Sequence, residues 1–169
     1  NAPFDRGFLE RFCPDLTQNP WACSMSEVRW ADEGFESSKL AYLALSSGFY
    51  YERHRAVNDC HAAIELLSRT LPVTSRRALS VLLASARGTT LRCWAENSPF
   101  EAKDVLKLRG YRWNSDDNGQ PRAWWIDVSE ADMEAEKAFL ATEIYKRDVS
   151  LRTARITAFN RHSWRILPS

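Results

Sequence analysis

The chain has 169 residues, a net charge of +1, 44% hydrophobic and 27% charged residues. This length allows one medium domain or two small ones, and the composition is that of an ordinary globular protein. The near-zero charge excludes a global electrostatic pull toward nucleic acid, so any such contact must come from local patches or bound metal. No apolar run approaches a membrane span and no leader is expected ahead of the fold, so the expectation is a cytoplasmic protein without a membrane partner. The opening at Asn1, without a methionine, reads as a fragment. Cys13, Cys23, Cys60 and Cys93 are scattered with no C-x-x-C pair, as in buried thiols of a reducing compartment.

Phe4, Phe8, Leu9 and Phe12 share one helical face, and Pro14 closes that helix. Trp21 to Ser24 is apolar enough for a buried strand. Lys39 to Ser47 carries Leu40, Leu43 and Ala44, a short amphipathic helix ending near Gly48. The aromatic run Phe49-Tyr50-Tyr51 leads into His54, where a long helix opens and runs to about Arg69, before Pro72. Thr74 to Arg87 is a third helix with Leu79, Leu82 and Leu83 inward, and it reads as a connector.

From Thr89 the pattern changes. Thr89 to Ala95 reads as a strand, Pro99 to Arg109 as a helix ended at Gly110, and Tyr111-Arg112-Trp113 as a strand. Asp116-Asp117-Asn118-Gly119 is a turn. Arg122 to Val128 is a strand that puts Trp124, Ile126 and Val128 on one face and Trp125 and Asp127 on the other. Ser129 caps a helix to Tyr145, with one stripe of Ala135, Phe139 and Thr142 and a second of Met133, Leu140 and Ile144. Two stripes predict cover on two sides, hence two domains packed together. Arg155 to Phe159 is the last strand. The order β-α-β-β-α-β is the split, ferredoxin-like arrangement, and the boundary falls near residues 86–90.

Two stretches carry chemistry. Asp5 lies in a first helical turn, where an aspartate ordinarily complements the helix dipole. Asp59 falls beside Ala63 and Leu66, on the apolar side of its helix, where a carboxylate needs a partner. A metal ion would serve, and His54 stands just before that helix, in reach of the same spot.

Asn1-Ala2-Pro3-Phe4-Asp5 followed by His54-Arg55-Ala56-Val57-Asn58-Asp59 resembles the second and third motifs of the DnaQ-like, DEDDh 3′→5′ exonucleases of the RNase H-like superfamily. The likeness spans residues 1 to about 70. It implies Asp5 and Asp59 as ligands of Mg²⁺ or Mn²⁺ in a two-ion site, His54 as the general base, and Asn1 and Phe4 as contacts to nucleic acid. Hard cations prefer carboxylate oxygens, and histidine titrates near neutral pH and can take a proton from water. The family's first motif, an Asp-x-Glu on a strand, would precede Asn1. The one Asp-x-Glu here, Asp132-Met133-Glu134, lies on a predicted helix, where residues two apart do not share a face.

The expected architecture is therefore α/β: part of an RNase H-like exonuclease domain over residues 1–72, a connecting helix over 73–88, and a small α+β domain over 89–169. The expected activity is hydrolysis at 3′ ends of DNA, with RNA as the other candidate substrate, in replication or repair, and with this chain inactive alone. The rival expectation is a non-catalytic module that holds nucleic acid or a polymerase. A second copy of the chain is a further candidate partner. In the second domain, Arg109-Gly110-Tyr111-Arg112-Trp113 faintly resembles the aromatic motif of RNA-recognition sheets. Arg109, Arg112 and Trp125 are its candidate contacts to nucleic acid, and Lys103, Lys107 and Arg122 extend the same basic run. The competing reading makes Tyr111, Trp113 and Trp124 core aromatics and the basic run a solvated face.

Overall fold

In the computed structural model, which describes residues 1–163, 165 and 166, the chain divides into two units, Asn1–Gly88 and Thr89–Ser169. The protein is mixed α/β, with all its named strands in the second unit.

The first unit is built from α1 (Ala2–Phe12), α2 (Ser24–Glu27), α3 (Leu40–Ser46), α4 (Ala56–Ser68) and α5 (Ala78–Arg87). Among its described residues the only β pairing is an isolated bridge between Thr70 and Arg77. Val28, Trp30, Leu43, Leu66, Leu71, Ala78 and Leu82 form its core. The strand expected at Trp21 to Ser24 is not formed. A strand needs a neighbour for its amides, and here Cys23 instead opens α2. The Cys23 carbonyl accepts from the Glu27 amide at 2.8 Å, and the Glu27 carboxylate accepts from the Cys23 amide at 2.9 Å.

Helix α1 is turned against its own pattern. Arg6 is fully buried, its Nε donating to Glu10 at 2.6 Å with the guanidinium 5.6 Å from the centre of the Trp21 ring. Phe4, Phe8 and Phe12, the expected core face, are 68%, 56% and 66% exposed. Likewise on α4, Ala62 and Leu66 are buried, while Val57, Cys60 and Ile64 are exposed.

The second unit runs β1 (Thr90–Ala95), α6 (Lys103–Leu108), β2 (Arg112–Trp113), β3 (Trp124–Ser129), α7 (Met133–Phe139) and β4 (Arg152–Ile156). The sheet is antiparallel throughout, in the order β2-β3-β1-β4. Each β-α-β connection thus skips one strand, which is the split arrangement expected from the element order. The last strand begins three residues earlier than its pattern suggests. The register sets it there, pairing Ala154 with Arg92 and Ile156 with Thr90, with both Ala154 and Ile156 buried. The helix expected to Tyr145 changes pitch at Leu140, and Leu140–Tyr145 is π-helical. Of its two stripes, Met133, Leu140 and Ile144 are buried, whereas Ala135 and Thr142 are exposed.

The register divides the sheet as the alternation predicts. Ala95, Trp124 and Ile126 face a cluster with Leu106, Tyr111, Leu140 and Ile144. Trp94 and Trp125, cross-strand partners, face the other side with Ala123, Ala154, Ile156 and Ile166.

Candidate functional site

Each motif of the first unit opens a helix. Asn1 is the residue before α1, and its carbonyl accepts from the Phe4 and Asp5 amides, both at 3.0 Å. The Asn1 amino group lies 3.2 Å from Asp5 Oδ2 in a half-exposed pair, where solvent screens most of the attraction. Phe4 projects outward. Asp59 closes the first turn of α4 through its amide, which donates to Arg55 O at 2.9 Å. His54 precedes that turn with φ at +65°, in the left-handed region that few side-chain-bearing residues occupy. The backbone kink leaves the imidazole exposed, with no hydrogen bond or ion pair among the described residues.

Asp59 is half-buried, as its place on the wheel predicts, and the Tyr51 phenol lies near enough to feel its charge. The Tyr51 phenol is held above its ordinary pKa, first by burial, then by the hydrogen bond to Asp59 and that carboxylate's charge, with Arg53 opposing. Tyr51 belongs to the aromatic run before His54. No periodicity marks a loop residue, so its pairing with an aspartate eight positions on was not legible.

The two motifs meet indirectly. Asn1, at the head of α1, and Ala63, one turn after Asp59 on α4, line a common cavity of about 200 Å³ with Trp30, Leu43 and Leu66. The cavity is mainly apolar. Among the described residues, no three His, Cys, Asp or Glu side chains gather as one ion requires.

In the second unit Arg109 lies along the surface against α7. It makes a bidentate pair with Glu136, Nε to Oε1 at 2.9 Å and Nη2 to Oε2 at 2.9 Å, and its guanidinium lies 3.8 Å from the centre of the Phe139 ring. Tyr111 Oη donates to Glu136 Oε1 at 2.7 Å. The Cys93 thiol lies 3.9 Å from the same hydroxyl. Burial first, opposed by the Tyr111 hydroxyl and reinforced by the charges of Glu136 and Asp127, pushes Cys93 up to about 11. Arg109 is thus committed to a structural network. Trp125 is committed too: Arg92 stacks 3.7 Å from its ring centre while pairing with Asp127 at 2.7 and 2.8 Å. Arg112, on the strand beside it, lies 5.5 Å from the same ring and is exposed.

No helix among the described residues is long and apolar enough to cross a membrane. Comparison of the chain with protein-family models, with curated proteins and with solved structures finds no match.

Proposed function

We propose that this chain carries the second and third motifs of a metal-dependent 3′→5′ exonuclease acting on DNA, with His54 as general base and Asp5 and Asp59 as ligands of Mg²⁺ or Mn²⁺. The observation that carries the reading is the ordered pair Asn1-x-x-Phe4-Asp5 and His54-x-Ala56-x-x-Asp59, each placed at a helix start. Two supports come from the fold: the unencumbered imidazole of His54, and the half-burial of Asp59 on α4. A divalent ion, when bound, supplies positive charge beside the scissile phosphate. The chain's own part is to hold two carboxylates and to take a proton from water at the His54 imidazole.

Two carboxylates do not offset two divalent ions, so the reading requires an Asp-x-Glu pair from outside these 169 residues. The same shortage favours the second reading, a non-catalytic module that holds nucleic acid or a polymerase.

The test compares the chain alone with the chain supplied with an Asp-x-Glu strand, on 5′-labelled single-stranded DNA and RNA with Mg²⁺ or Mn²⁺. The chain alone should be inactive or nearly so, and the supplemented chain should release mononucleotides. His54→Ala should then lower turnover far more than substrate affinity, because a general base acts in the transition state. Equal loss in both would remove His54 from that role, and no hydrolysis by the supplemented chain would leave the binding-module reading.

A further inference from the structure

The second unit divides its cations. Arg92, Arg109, Lys137, Lys146, Arg152 and Arg155 are each joined to a carboxylate. Lys103, Lys107, Arg112 and Arg122 make no ion pair among the described residues, and neither does Arg147, which follows the π-helical turn. The first four lie on α6, on β2 and on the approach to β3, which β2 joins. The acids of the same segments, Glu101, Asp104, Asp116 and Asp117, neutralise none of them through a direct pair.

Strand β2 is the edge of the sheet. There Trp113, which the core reading would bury, is 52% exposed. Trp124 buttresses it edge-on, ring centres 5.6 Å apart at 63°. The Lys107 ammonium lies 6.0 Å from the centre of the Trp124 ring. Arg112, next to Trp113 in a strand where neighbours point to opposite faces, reaches the other side of the edge, over Trp125.

We infer that this edge binds single-stranded polynucleotide, one base stacking on Trp113 and the flanking phosphates meeting Lys107 and Arg112. A braced aromatic ring between unpaired cations matches the sequence-tolerant chemistry of single-strand binding, in which each stacked base contributes appreciably and phosphate contacts make affinity salt-dependent. The site differs from the one expected from sequence, because Arg109 and Trp125 are occupied within the fold. The inference deepens the exonuclease reading by giving the second unit a hold on the same strand, yet it is read without cleavage.

The experiment titrates the full chain into fluorescein-labelled dT12 and rU12, in EDTA, by anisotropy across a salt series. The parent chain should bind the single strands saturably and a 12-base-pair duplex more weakly; the two single strands report the preference for DNA or RNA. Trp113→Ala should weaken binding about ten-fold or more, and Trp113→Phe should retain most of it. Lys107→Glu with Arg112→Glu should weaken binding and flatten the dependence of log K on log salt by about 0.7 for each phosphate no longer met. Thermal melts check folding, and if Trp113→Ala unfolds, the charge-reversal pair decides. No saturable binding by the parent, both variants within about two-fold of it, or Trp113→Phe losing as much as Trp113→Ala would each overturn the proposal. Because binding is read in EDTA, without cleavage, failure of the hydrolysis test and failure of this site are separable.

Discussion

Glu136 shows how one buried charge organises its neighbours. Its carboxylate is 6% exposed and accepts from Arg109 and Tyr111. Removing Arg109 leaves that charge without its counter-ion. Breaking a fully buried pair costs about 3–5 kcal/mol, but Arg109 is 38% exposed, so screening moves the expected cost of Arg109→Ala to about 2 kcal/mol. Chemical denaturation reads it, and Glu136→Gln with Arg109→Ala should recover part of the loss. The Cys93 thiol gives a second outcome at this scale. Its folded pKa of about 11 exceeds the unfolded value of about 8.5. The unfolded chain therefore loses the proton first, and stability present below about pH 8.5 is lost as pH rises toward the folded value. Tyr145, pushed up to about 12 by burial first and then by the Glu96 and Cys93 charges, acts with the same sign at higher pH. Cys93→Ala should flatten the first part of the alkaline decline in urea-measured stability. At this scale sequence reading reaches Asp59, whose half-burial follows from helical periodicity. It misses Tyr51 and the pairing of Arg109 with Glu136, because partners distant in sequence leave no periodic trace.

At the scale of elements, a carboxylate from a distant turn ties down the loop before α5. Glu33 Oε2 accepts from the Val73 and Thr74 amides at 2.9 and 3.1 Å. Burial pulls its pKa up, and the hydrogen bonds from Thr74 and Val73 outweigh burial and hold it below the usual range. Its contribution is thus present above the unfolded pKa of about 4.3 and is lost as pH falls through the folded value. Glu33→Gln should be less stable than the parent near neutral pH, with the two converging as pH falls through the folded value in urea titrations. A constant difference across that range would remove the carboxylate from this role. The second unit's elements were largely legible, since the Trp124-Trp125 alternation and the turn at Asn118-Gly119 are local signals. Trp21 to Ser24 misled because apolar residues signal burial without saying whether a neighbouring strand exists. The start of β4 depended on pairing with β1, which no local pattern encodes.

Across the whole molecule, one exposed feature is a row of aromatic rings along α1. Phe4 and Phe8 stack at 6.5 Å and Phe8 meets Phe12 at 4.9 Å, forming a ladder of exposed rings. Contiguous apolar surface of this kind favours association. Sedimentation of the full chain should show concentration-dependent self-association, and Phe8→Glu should reduce it. As a surface change, Phe8→Glu should alter stability by only about 0.5 kcal/mol. Association that persists unchanged in Phe8→Glu would place the contact elsewhere.

The sheet's strand order also sets a clock. β1 is paired along both edges, with β3 and with β4, whereas β2 holds to its neighbour through two residue pairs only. Openings that free β1 amides must break two ladders at once, so their deuterium uptake should be the slowest of the second unit. Arg112 and Trp113 need only a local fray, and their exchange should be among the fastest of the sheet. The ring offered to solvent at Trp113 should therefore ride on a readily opening strand, over a scaffold that opens slowly.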